Sequence, residues 1–159
     1  HDSGYVAETV GLLTEKDWTY EQDGALWLKT AELLRQKHLN EGKTPEQVEK
    51  LDLKDDVLRR SNGFYTYFAA DIAYHRNKLE KRGFDTAINI WGADHHGHVA
   101  RLQAALDGLG LDGSHRLVIV LMQLVNLLRD GKPERMSKRS GKAIALHDQL
   151  HEDRVEADR

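Results

Sequence analysis

The sequence predicts an α/β chain with a parallel sheet and a β-hairpin beside it, and three observations carry that expectation. Ala87–Trp91 and Val118–Leu121 are continuous apolar runs of strand length, the kind that parallel sheets bury on both faces. Between them, Val99, Leu102, Leu106 and Leu109 recur at helical spacing, with Gly110 as the stop, so strand, helix and strand follow one another as a βαβ unit over 87–130. Finally, Asn62-Gly63 lies between two β-prone runs over 57–67, a strong hairpin pattern because both residues tolerate the positive φ of a type I′ turn.

The remaining elements follow in chain order. Ser3 is placed to cap a first helix whose apolar stripe is Val6, Val10 and Leu13. Asp23-Gly24 breaks the pattern, and Ala25–Leu28 reads as a short strand. Residues 31–56 are a charged excursion: 12 of these 26 residues are charged, seven acidic and five basic, and the expectation is a solvated segment whose charges serve solubility. It holds two short helical patterns, the second opened by the capping-box arrangement Thr44-Pro45-Glu46-Gln47. After the hairpin, Phe68, Ile72, His75 and Leu79 mark a helical face that ends at Gly83.

Composition narrows the function classes. A length of 159 residues points to one domain. Absence of Cys excludes disulfides, thiolate metal sites and cysteine nucleophiles. With 23 Lys+Arg against 26 Asp+Glu the net charge is −3, which gives no support for a globally basic nucleic-acid binder. No apolar run reaches the roughly 20 residues of a membrane span, and no secretory leader is recognisable at the start. The chain opens on His1 rather than Met, so it is expected to begin mid-protein.

Three constellations carry chemistry. Asp94, His95, His96, Gly97 and His98 follow a strand and open a helix, the place where ligands of open α/β sheets bind. Imidazoles there can donate to phosphate or stack on a base, and the helix N-terminus favours an anion. The same four side chains could ligate a metal, as in a metal-dependent hydrolase, although contiguous ligands are awkward for one ion. They could also be a polar helix start and nothing more. Between Lys132 and Lys142 stand five cations, Lys132, Arg135, Lys138, Arg139 and Lys142, against the single acid Glu134. Flanked by Gly and Ser, that loop over 131–142 suits a polyphosphate, or it is simply solvated. Tyr67 and Asp71 are four apart on one helical face, where the carboxylate could receive a cation, best a guanidinium, or merely complement the helix dipole.

In this order the three segments resemble a class I aminoacyl-tRNA synthetase, specifically bacterial-type arginyl-tRNA synthetase. Arg135-Met136-Ser137-Lys138-Arg139 is similar to the KMSKS signature, and Trp91–Gly97 and Tyr65–His75 are similar to more specific blocks of that family. Asp23–Trp27 and Val125–Gly131 fit as well. The resemblance implies a Rossmann-like fold, with residues 1–159 as the later, KMSKS-bearing half of a catalytic domain. It implies a cytoplasmic enzyme that uses ATP with Mg²⁺, no dedicated protein metal site, and arginine and tRNA(Arg) as the other substrates. Tyr67 and Asp71 would hold the guanidinium. Asp94, His95, His96 and Gly97 would lie against ATP, with His95, His96 and Lys138 catalytic, and Arg135, Met136, Ser137 and Lys138 would form the ATP-binding loop. The chain alone is expected to be inactive. The alternative is a non-catalytic arginine- or nucleotide-binding module derived from such an enzyme. Some positions depart from the family. Arg135 replaces a Lys, Lys142 stands where Asn is expected, the 31–56 excursion is long, and the H-x-G-H signature is absent from its early place. His95-His96-Gly97-His98 spells those letters too late in the fold to be that signature.

Overall fold

In the computed structural model, which describes residues 3–93, 96–123, 128–129 and 132–133, the parallel pair sits where the apolar runs place it. Strands β4 (Ala87–Gly92) and β5 (Leu117–Met122) run parallel in the register Ala87↔Leu117 to Gly92↔Met122. The crossover between them is helix α5 (His96–Gly108) and the short α6 (Gly113–Arg116). Leu102 and Leu106 of α5, and Leu109 just past its end, are buried, because a helix covering a sheet must turn its apolar stripe inward. The chain divides into two units, 1–123 and 124–159. Of the second, the structure describes the short antiparallel pair β6 (Leu128–Arg129) and β7 (Lys132–Pro133).

Upstream lies an antiparallel sheet in the order β1-β2-β3, formed by Thr19–Gln22, Ala25–Leu28 and Asp56–Arg59. The type I′ turn belongs here. Asp23 and Gly24, at φ 52° and 73°, form the two-residue loop between Gln22 and its partner Ala25, so the pair that breaks the sequence pattern is the hairpin turn. Around Asn62-Gly63 the expected second arm reduces to a single bridge, Arg59↔Tyr65. Only Gly63 takes a positive φ, 84°. Asn62 instead accepts the Phe64 N–H on its side-chain oxygen at 3.1 Å, and Thr66 ends the extended run by becoming a helix cap.

That cap starts α4 (Tyr67–Arg76). The Thr66 hydroxyl accepts from Ala69 N at 3.3 Å and donates to Val57 O at 2.8 Å, fixing the helix start to β3. Beyond Arg76 the helix widens into a π-helical turn, Asn77–Lys81, and Gly83 (φ 65°) follows, near the expected stop. Ile72, His75 and Leu79 are buried as the face predicts.

Two expectations upstream are corrected. Helix α1 (Ser3–Glu15) already includes Ser3, so that residue is helical rather than the cap. The charged 31–56 stretch is largely exposed, as expected, but it is not only a solvated excursion. Its helix α2 (Thr30–Asn40) packs on α5, and Leu33 and Leu34 are buried in the common core. Gly108 lets the two helices approach, since a Cβ there would stand 3.0 Å from Leu33 Cδ2. The charges work locally as well. Asp55 accepts from Ala31 N and from the Tyr20 hydroxyl, both at 2.9 Å, and so supplies the helix start that Lys29 does not cap. The second helix of the stretch, α3 (Pro45–Glu49), has the capping box that its sequence spells.

Candidate functional site

Helix α4, its π-helical extension, β4 and the first turns of α5 converge on a cavity of about 570 Å³, lined by Asp71, Tyr74, His75, Lys78, Asn89, Trp91 and His98, with Ile88 and Ile90. Asp71 is the residue around which the others are arranged. Its side chain is 46% exposed, and Oδ2 lies 3.0 Å from Nε2 of His98. Its backbone oxygen accepts from Nδ1 of His75 at 2.8 Å. Behind His75, Asn89 Nδ2 lies 2.5 Å from Nε2, and Lys78 Nζ donates to Asn89 Oδ1 at 3.2 Å.

The donor and acceptor roles follow from this chain. Lys78 can only donate, so Asn89 presents its oxygen to Lys78 and its NH₂ to His75. His75 therefore accepts at Nε2 and carries its proton on Nδ1. Burial pushes its pKa below the ordinary 6.5. The Asp71 carbonyl raises it and the nearby Lys78 lowers it further. A neutral His75 thus clamps the backbone of Asp71 while His98 reaches its carboxylate. The His98 ring is held by Trp91, centroids 5.5 Å apart, and by an edge contact with Phe68 at 5.4 Å.

Lys78 stands at the start of the π-helical turn; such turns recur at functional sites. It also lies 4.3 Å from the Tyr74 ring centroid. The cavity is therefore bipolar. One part offers a carboxylate, another an ammonium, with aromatic wall between them. That suits a molecule bearing both charges.

The sequence-predicted residues fall unequally. Asp71 lines the cavity. Tyr67, 91% exposed, lies one helical turn away and lines a separate hollow of about 360 Å³ with Arg60, Tyr65, Thr66 and Ala70, so the two share a helix face without sharing a pocket here. His96 and Gly97 stand in the first turn of α5, and Gly97 is exposed with open space where a Cβ would be. Asp94 and His95 lie outside the described residues, as do Arg135, Met136, Ser137 and Lys138 of the basic loop. Among the described residues no three His, Cys, Asp or Glu side chains converge on a metal position. Sequence reasoning missed His75, Lys78, Asn89 and Trp91 as parts of this cluster. One sign was available: Asn89 is a polar residue inside an otherwise apolar strand, Ala87–Trp91.

A parallel βαβ crossover, a polar cluster at the carboxyl end of its first strand and an antiparallel sheet upstream define part of a class I aminoacyl-tRNA synthetase fold. No family model matches the chain. Arginine–tRNA ligases do match it: that of Ruminiclostridium cellulolyticum is 52% identical over 152 residues, 96% of this chain and 24% of that enzyme. That of Carboxydothermus hydrogenoformans is 49% identical over 159 residues, 100% of this chain and 25% of that enzyme. Among solved structures, an arginyl-tRNA synthetase of Campylobacter jejuni superposes with a TM-score of 0.68 at 37% identity, covering 94% of this chain and 28% of that one. The Thermus thermophilus arginyl-tRNA synthetase gives a TM-score of 0.68 at 20% identity over 94% of this chain and 27% of its own, a likeness of fold. The chain belongs to the arginyl-tRNA synthetase family, and it spans about a quarter of the length of the curated relatives it matches.

Proposed function

We propose that this chain supplies the arginine-receiving wall and part of the nucleotide site of an arginine–tRNA ligase. The observation that carries the reading is Asp71, a half-exposed carboxylate lining a cavity, fixed through its backbone by His75 and through its side chain by His98. A carboxylate so held suits a guanidinium, whose planar fork makes two parallel bonds where an ammonium makes point contacts. Tyr67, one turn away, would complete the contact by a side-chain rotation. His96 and Gly97 at the start of α5, with Asp94 and His95, would lie against ATP, and a helix N-terminus favours its phosphates.

The reaction needs no protein nucleophile. The arginine carboxylate attacks the α-phosphorus of ATP, the bond to the bridging oxygen breaks, and pyrophosphate leaves. The adenosine hydroxyl at the tRNA 3′ end then attacks the arginyl carbonyl, and AMP departs. Catalysis is alignment plus electrostatics, with His95 and His96 at the α-phosphate and Arg135, Met136, Ser137 and Lys138 around the charge that grows on pyrophosphate. Mg²⁺ would arrive with ATP. Asp71, the one carboxylate lining the described cavity, is engaged by His98 and forms no cage. The setting would be the cytoplasm. Among the described residues no helix is long and apolar enough to cross a membrane.

The test is a graft. Residues 1–159 replace the matching segment of the Carboxydothermus hydrogenoformans ligase, and arginine-dependent ATP–pyrophosphate exchange and tRNA charging are measured. Exchange and charging are expected, and Asp71→Asn is expected to raise KM for arginine at least about tenfold, the loss of one charge-assisted bond. Arginine or nucleotide binding without exchange would favour a non-catalytic module instead.

A further inference from the structure

Arg101 stands behind the site rather than in it. Its guanidinium donates through NH1 to Asp56 Oδ1 at 2.7 Å, through Nε to Gly97 O at 3.2 Å, and through NH2 to Nδ1 of His98 at 3.5 Å. A guanidinium has five N–H donors and no acceptor. Nδ1 of His98 must therefore offer its lone pair, which puts the ring proton on Nε2, aimed at Asp71 Oδ2. A second proton, on Nδ1, would confront a fixed cation and lose that bond. His98 thus donates to Asp71 without carrying a charge.

This matters for what Asp71 can bind. An imidazolium in that place would compensate the carboxylate and compete with an incoming cation. A neutral donor fixes the carboxylate and leaves its charge in place. The groups that face His98 agree with this. Helix α4 and its π-helical turn bring Asp71, with His75 and Lys78 farther along the cavity, α5 brings Arg101, and β3 brings Asp56 through Arg101. Among the described residues the hydrogen bond to the Asp71 carboxylate is the one from His98 to Oδ2, and the side chain is 46% exposed.

We propose that Arg101 is a positioning residue that acts through His98: it fixes the neutral Nε2–H form, so that Asp71 presents an oriented, uncompensated carboxylate to the cationic end of the substrate. The inference rests on the reading of Asp71 as the guanidinium receptor. It assigns arginine selectivity to a relay, Asp56–Arg101–His98–Asp71, of which only the last member touches substrate.

The experiment uses the whole chain, labelled with ¹⁵N-histidine. Long-range ¹H–¹⁵N correlation at pH 7.5 reads the tautomer of His98, and arginine or methylguanidine is then titrated. The wild type is expected to show the Nε2–H form, and both ligands are expected to shift the His98 signals. Arg101→Leu, made together with Asp56→Asn so that no half-buried carboxylate is stranded, is expected to lose that single tautomer and to bind arginine at least about tenfold more weakly. Arg101→Lys, which keeps a cationic donor, is expected to restore the Nε2–H form. An Nδ1–H tautomer in the wild type would overturn the proposal, and so would an unchanged tautomer and affinity in the double variant. Should the tautomers behave as expected while neither arginine nor methylguanidine moves His98, the arginine reading of Asp71 fails while the hold of Arg101 on His98 stands.

Discussion

His75 shows how one side chain ties stability to the site. Nearly fully buried, it must remain neutral to accept from Asn89 and donate to the Asp71 carbonyl. Its folded pKa lies below the ordinary 6.5, chiefly through burial. As pH falls, the unfolded chain takes up the proton first, so the stability contributed is complete above about pH 6.5 and declines as pH drops through that value toward the folded pKa. A single such histidine gives a slope of at most about 1.4 kcal/mol per pH unit. Urea midpoints measured between pH 7.5 and 5 are expected to fall more steeply for the wild type than for His75→Gln, and parallel profiles would refute the assignment. The sequence marked His75 as part of a core face, and the only hint of a polar partner was Asn89 inside an apolar strand, because a lone histidine at helical spacing reads the same whether its ring meets leucine or asparagine.

Elements transmit that order. Helix α4 carries Asp71 and His75, and its start is set by Thr66, whose hydroxyl serves the helix and β3 together. Thr66→Ala is expected to cost about 1–2 kcal/mol, read as a lower urea midpoint, with Thr66→Ser restoring most of it. Past the far end of α5, α6 starts at Gly113, where a Cβ would come within 2.5 Å of Leu106 Cβ and 2.6 Å of Gln103 O. Because one of those atoms is backbone, Gly113→Ala cannot be relieved by a rotamer change and is expected to destabilise by about 1–3 kcal/mol in the same assay. Elements whose pattern is local were legible in advance: β4, α5 and β5 from apolar periodicity, α3 from its capping box. Those set by tertiary competition were not. Asn62-Gly63 and Asp23-Gly24 are equally good turn formers, and what separates them is Thr66, which starts a helix before a second arm can pair. Helix α2 looked solvated because only Leu33 and Leu34 of its apolar residues reach the core, too few to stand out among its charges.

At the scale of the molecule, the two faces of the parallel pair differ. Ala87 and Leu117 are buried and Asn89, Trp91 and Ile119 half-buried on the side that meets the helices, while Ile88 and Ile90 are 65% and 71% exposed and Val118, Val120 and Met122 are exposed with them. Parallel strands are ordinarily covered on both faces, which is why the sequence shows apolar runs here rather than alternation. A contiguous apolar face of this kind favours association and binds apolar dyes. Because Ile88 and Ile90 also line the cavity, the face is better tested from β5, whose Val118 and Val120 stand in register with them. Val118→Lys with Val120→Lys is expected to lower dye fluorescence and concentration-dependent association of the chain. It is expected to leave the urea midpoint within about 0.5 kcal/mol, since substitutions at exposed positions cost little. Unchanged dye binding in a folded double variant would mean that the apolar surface offered to solvent lies elsewhere than on this sheet.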